Sequence, residues 1–171
     1  MRIGTRTLGD DHVFIIAEAS ANHCQRYDNA IALIHAAAKA GADAIKFQTF
    51  TPGEIAADVP ILTGYDVQHD AWIASLGVKT LRQLYARGGL SRDWHKELKH
   101  IAEDCGLQFL STPFSVDAAR FLVEEIGVVA LKIASGDLTF TPLLTYADAT
   151  GLPLLLSTGM ATLDEVRTAL H

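Results

Sequence analysis

Val129-Ala130-Leu131-Lys132-Ile133-Ala134-Ser135-Gly136-Asp137 is an apolar run with a lysine inside it and Ser-Gly-Asp at its end. Its Val, Leu, Ile and Ala content is that of a strand buried on both faces of a parallel sheet. A lysine inside such a strand is costly unless it is paired or faces a polar cavity. The stretch therefore predicts a strand whose carboxyl end opens onto an anion.

Four other stretches read the same way. Val13–Ala17 is a β-branched and aromatic run ending in Glu18 and the polar Ala19-Ser20-Ala21-Asn22-His23. Ala44–Phe50 alternates Ile45 and Phe47 with Lys46 and Gln48, which puts the polar pair on one face. Leu107–Leu110 ends in Ser111-Thr112, and Pro153–Leu156 ends in Ser157-Thr158. Helix signals separate these strands. Asp28 is a cap for a helix over Asn29–Ala40 that Gly41 ends, and Ser91 starts one that runs through Cys105 to Gly106. Ser115 and Gly127 bracket the next, Thr141-Pro142 and Gly151 another. Thr162-Leu163-Asp164-Glu165 is a capping-box pattern opening a last helix that runs to the end of the chain. Residues 51–90 break the rhythm and read as a functional loop with a helix around Lys79–Ala86, pinned by Trp72 and Tyr85.

Alternating strands and helices predict an α/β fold with a parallel sheet. The choice lies between an open doubly wound sheet and a parallel (β/α) TIM-type barrel. No glycine-rich dinucleotide loop follows the first strand, so the barrel has the better case. About five of eight repeats fit in 171 residues, against roughly 250 for a whole barrel. The chain reads as one unit over 1–171, the amino-terminal part of such a domain, with open sheet edges that invite association.

Hydrophobic residues make up 49% of the chain, and the formal charge is -6. The composition argues for a folded domain and against nucleic acid as the main partner. Cys24 and Cys105 form no metal-type spacing, and no apolar run is long enough for a membrane span, so a cytoplasmic setting is expected. In a parallel α/β protein the ligand sits outside the carboxyl ends of the strands. Here those ends carry Glu18, Lys46, Gln48, Ser111, Thr112, Lys132, Ser135, Asp137, Ser157 and Thr158. One such cluster could be a strand simply reaching the surface; five on one rim suit a phosphate or carboxylate. His23 reads as loop structure before ligand contact. His35, His95 and His100 fall on helices as solvated or partly packed residues, and His12, His69 and His171 have no partner from spacing.

These motifs resemble those of the sialic acid synthases. The resemblance is carried by Phe14-Ile15-Ile16-Ala17-Glu18, Ala21-Asn22-His23 and Gly41-Ala42-Asp43-Ala44-Ile45-Lys46-Phe47-Gln48-Thr49. Phe109-Leu110-Ser111-Thr112-Pro113-Phe114, Leu131–Asp137 and Leu156-Ser157-Thr158-Gly159-Met160 continue it in the same order. It implies condensation of phosphoenolpyruvate with an N-acylated hexosamine, such as N-acetylmannosamine or a diacetamido sugar, with release of phosphate. It further implies that Lys46, Thr112, Lys132, Ser135 and Ser157 bind phosphoenolpyruvate, that Gln48 and Asn22 lie near the sugar, and that Glu18 and Asp137 serve catalysis. A divalent metal, Mn2+ or Mg2+, is implied with ligands on later strands outside this chain, together with a carboxyl-terminal antifreeze-like domain and a homodimer. Alternatives are a related condensing barrel acting on an aldose, or a non-catalytic fragment used for binding or assembly. The chain departs from the family pattern at Asp137, where many members carry glutamate. It departs also at Ser20-Ala21 and Cys24-Gln25, where many carry glycine before the Asn-His pair and Asn-Gly after it.

Overall fold

Helical periodicity gives each core-packed helix one apolar face, whereas the strands carry apolar residues on both faces, so two buried clusters form. The computed structural model of the protein describes residues 2–9, 13–64 and 66–170, so His12 and His171 lie outside the described residues. A short hairpin, β1 (Arg2–Ile3) and β2 (Arg6–Thr7), precedes the repeating units. β3 (Ile16–Ser20), β4 (Ala44–Thr49) and β5 (Gln108–Pro113) pair in parallel, in that order. β6 (Leu131–Ile133) lies beside β5 and pairs in parallel with β7 (Leu154–Leu156).

The intervening helices are α1 (Tyr27–Lys39), α5 (His95–Asp104), α6 (Val116–Arg120) and α7 (Thr141–Ala149), with α8 (Leu163–Ala169) last. α6 runs on into a π-helical stretch, Phe121–Ile126, that ends at Gly127 with φ 67°. Three short helices, α2 (Pro52–Ile55), α3 (Val67–Leu76) and α4 (Leu81–Tyr85), make up the excursion after β4.

The strands divide their side chains cleanly. Ala17, Ala19, Ile45, Phe47, Phe109, Leu131 and Ile133 pack with Ile34, Leu98, Ala102, Ala119, Leu122 and Leu143 of the helices. Alternate residues Ile16, Ala44, Leu110, Ala130 and Leu155 face the other way and gather around Ile3 of the hairpin, with no helix among them. Helices therefore cover one face of the sheets only. A doubly wound sheet carries helices on both. Burying each large aliphatic or aromatic chain of this core contributes on the order of 1.5–3 kcal/mol.

Several boundaries differ from the sequence expectation. The first strand begins at Ile16, and Val13 is 79% exposed. Sheet pairing, not the apolar run, sets its start: at the edge the Ile15 N–H donates to Asp43 Oδ2, and its carbonyl accepts from the Asp43 and Ala44 N–H groups. Asp28 sits inside the first turn of α1, whose N-cap is Arg26. Thr141 is likewise inside α7, with Phe140 at the cap. α8 ends at Ala169. The 51–90 excursion is more helical than expected. Within it Tyr85 meets Phe50 edge-on at 5.8 Å, but Trp72 is 51% exposed and, among the described residues, its one ring contact is His69 of the same helix, so no aromatic contact ties it to the body.

Candidate active site

Strand parity decides which polar residues meet. Glu18 pairs in register with Lys46, and both lie on the sheet face without helices. Lys46 Nζ donates to Glu18 Oε2 in an ion pair, with the lysine 8% exposed and the carboxylate open to solvent. Glu18 Oε1 accepts from the backbone N–H of Ser20 at 3.1 Å, which turns the head of the side chain across the strand end. Gln48 and Thr112 stand opposite one another, two register positions beyond Lys46 and so on the same face.

β6 supplies the second cation. Lys132 is half-buried and donates to the Ile133 carbonyl at 2.6 Å. Burial, then the neighbouring Lys46 ammonium, lower its pKa, while Glu18 and Asp137 oppose that shift. Asp137 ends a single 3₁₀ turn, Ser135–Asp137, that follows β6. Its carboxyl pKa is raised by burial, with Lys132 pulling the other way. Lys46, Lys132, Glu18 and Asp137 are thus one electrostatic cluster, two cations and two carboxylates at the mouth of the helix-free face. A half-buried ammonium without a full set of oxygen partners favours an anion.

Ser157 sits just past β7, where its N–H donates to the Ile133 carbonyl, so the β6 and β7 ends are tied. Ser135 is half-buried in the adjoining turn. Gly136 lies 4.0 Å from Met160 Sδ, measured from an added Cβ, which brings the two loops together. Asn22 is exposed in the loop after β3, its N–H donating to the Ala19 carbonyl. That loop is held in an unusual backbone: Ser20, Cys24 and Gln25 all have φ between 47° and 54°. These are positions where the sequence resemblance leads one to expect glycine or asparagine, and the left-handed region explains that preference.

Two expectations are corrected. Ser111 does not belong to the mouth: it follows the parity of Phe109 into the helix layer, where it is fully buried and bonds Thr49 Oγ1 at 2.7 Å. His95 is not solvated or partly packed but fully buried. It bonds Thr49 Oγ1 through Nε2 at 2.8 Å and the Ser91 carbonyl through Nδ1 at 2.9 Å. Burial lowers its pKa to about 4. A signal for this was present, since His95, Leu98 and Ala102 fall on one helical face.

His23 is buried in the β3–α1 loop, where Nδ1 accepts from the Gln25 N–H at 3.0 Å and the Asn29 amide donates to its carbonyl. Its Nε2 has no hydrogen-bond partner among the described residues. Burial lowers its pKa. It shapes the loop rather than the mouth. Cys24 is exposed, its Sγ 3.6 Å from the Asn22 carbonyl and not on His23. A cavity of about 570 Å³ lies between α7, β7 and α8, where Leu138, Leu144, Leu154 and Leu156 are among its lining residues.

A NeuB family model matches residues 33–171. The chain is 38% identical over 157 residues to the N,N'-diacetyllegionaminic acid synthase of Legionella pneumophila, covering 92% of this chain and 42% of that protein. It is 33% identical over 166 residues to a pseudaminic acid synthase of Campylobacter jejuni, covering 97% and 46%. Among solved structures it superposes on the N-acetylneuraminic acid synthetase of Leptospira borgpetersenii, crystallised with citrate, at a TM-score of 0.81 and 32% identity. That match covers 99% of this chain and 53% of the other. The chain spans about half the length of the relatives it matches.

Proposed function

The chain belongs to the NeuB family, and on that premise we propose that it is the phosphoenolpyruvate-holding part of a sialic-acid-type synthase. The proposed reaction joins phosphoenolpyruvate to an N-acylated hexosamine and gives a nine-carbon 2-keto sugar acid plus phosphate. The observation that carries this reading is the paired cation site, Lys46 and Lys132, on the helix-free face of the sheets. In this reading the two ammonium groups hold the phosphate and carboxylate, and the hydroxyls of Thr112, Ser135 and Ser157 complete the hold. An arriving anion competes with Glu18 for Lys46. Gln48 and Asn22 contact the sugar.

Carbon 3 of the enol phosphate attacks the sugar aldehyde, water adds at carbon 2, and phosphate then leaves. The aldehyde oxygen needs a proton and the water must lose one. Asp137 suits the donor, because burial favours its protonated form. Glu18, solvent-facing and ion-paired to Lys46, suits the acceptor. Among the described residues no three His, Cys, Asp or Glu side chains gather into a ligand set. No step is routed through a divalent metal; the reading assigns Mn2+ or Mg2+ to ligands elsewhere in sequence.

The same proposal includes a (β/α)8 barrel of which 1–171 is the amino-terminal part, a homodimer and a cytoplasmic setting. Among the described residues no helix is long and apolar enough to cross a membrane. The test is phosphate release from phosphoenolpyruvate by the full-length protein, with manganese and each candidate N-acyl hexosamine in turn. Release that depends on one acceptor is expected, and its absence with every acceptor overturns the reading. Asp137→Asn is expected to lower kcat by about 100-fold, the scale of one general acid, with phosphoenolpyruvate binding retained.

A further inference from the structure

Behind the mouth, on the helix side of β4 and β5, lies a buried polar chain that the proposed chemistry does not use. It runs Ser91 carbonyl, His95, Thr49, Ser111, with steps of 2.9, 2.8 and 2.7 Å. A carbonyl can only accept, so His95 Nδ1 carries the proton on that side. In the neutral ring Nε2 is then an acceptor, and the Thr49 hydroxyl must donate to it. Thr49 Oγ1 has given its one proton away, so Ser111 donates to Thr49. Every donor points in one direction, from the β5 end toward the helix layer. The His95 ring is fixed by two edge-on contacts, to Phe121 at 5.1 Å and Phe109 at 6.2 Å.

Thr49 and Ser111 each immediately follow or precede a mouth residue. Gln48 precedes Thr49, Thr112 follows Ser111, and Gln48 and Thr112 are register partners across β4 and β5. We propose that His95 is a positioning residue, which through a one-way chain of Thr49 and Ser111 locks the ends of β4 and β5 so that Gln48 and Thr112 keep their places beside the cation pair. The proposal rests on the phosphoenolpyruvate reading above for its functional consequence, and on the donor order for its physical content.

The donor order is read from nitrogen–proton correlation spectra of the imidazole in the full chain at neutral pH. A proton on Nδ1 and none on Nε2 is expected; a proton on Nε2 reverses the chain and overturns the proposal. Thr49→Val removes the central hydroxyl and is expected to raise KM for phosphoenolpyruvate about 10-fold, the scale of one hydrogen bond, with kcat within about 3-fold. His95→Leu should do the same. His95→Gln, which can offer an acceptor near the Nε2 position, should return KM to within about 3-fold of the parent. A fall in apparent kcat that tracks the folded fraction, with KM unchanged, would make the chain a core contact only and overturn the proposal. Should the parent protein release no phosphate, the functional reading falls alone. The positioning claim is then judged by the Thr112 amide signal, which moves in His95→Leu and returns in His95→Gln if it is right, and stays still in both if it is wrong.

Discussion

The two faces of β4 carry polar groups of opposite kinds. On the helix face Thr49 is buried among partners that satisfy it, Ser111 and a neutral His95. On the other face Lys46 and its neighbours are charged, and the pKa values of Lys132 and Asp137 are displaced by burial. One residue step along a strand separates a closed polar network from an open one. A closed network specifies packing, because every donor is already used. An open cluster of charges keeps its interactions for a ligand. Polar content alone therefore does not mark a site; the face on which it stands does.

The comparison breaks most sharply where the helix face is emptied. Phe47→Ala is expected to cost about 3–5 kcal/mol, the usual range for losing a buried aromatic, because Phe47 is fully buried against Phe109 at 5.7 Å. Urea unfolding checks it, and a loss under about 1 kcal/mol would mean the helix face is not the core it is taken to be.

Acid attacks the same face. His95 is held neutral with a pKa of about 4 against an ordinary 6.5, so below pH 6.5 the unfolded chain binds a proton that the folded chain refuses. Stability from this group is present above pH 6.5 and is lost as the pH falls toward 4. The full loss is about 3 kcal/mol at 1.36 kcal/mol per pKa unit. The charged and titratable groups facing it, Arg92 and His23, press in the same direction, and His23 itself is displaced downward. Unfolding measured across this range in the parent and in His95→Gln separates the contribution; identical pH profiles would refute it.

On the open face Lys132→Met should leave stability within about 0.5 kcal/mol, yet weaken phosphoenolpyruvate binding by about 10- to 100-fold, the scale of one charge-assisted hydrogen bond. Calorimetric titration checks both the affinity and the fold. A smaller adjustment sharpens the picture of the loop after β3. Ser20→Gly relieves a left-handed φ of 47° and is expected to raise the melting temperature slightly, by the equivalent of about 1 kcal/mol. A lower melting temperature would show that the Ser20 side chain contributes more than its backbone costs.

Much of the architecture was legible because its determinants are local. Gly41, Gly106, Gly127 and Gly151, read as helix stops, all take positive φ at helix ends, and Thr162 forms the expected capping box with Glu165. Parity is legible too, and it runs past the end of the apolar run: Phe109 faces the helices, so Ser111 must, and Thr112 must not. His95 was hidden for a different reason. A histidine on a helix is exposed more often than buried, and only the partners Thr49 and Ser91, drawn from elsewhere in the chain, make its burial tolerable.

By itself the sequence determined the alternation of strands and helices, their parallel sense and the family to which the motifs point. Those follow from side-chain periodicity, caps and turns, which act over a few residues. The tertiary structure alone decided that the helices α1, α5, α6 and α7 pack on one face of the sheets and that Glu18 is paired with Lys46. It also decided that Asp137 is the carboxylate whose burial favours its protonated form, and that one serine of the Ser111-Thr112 pair turns away from the mouth. These depend on electrostatic and desolvation effects between groups dozens of residues apart, which acquire a magnitude only when folding brings the groups within a few ångströms.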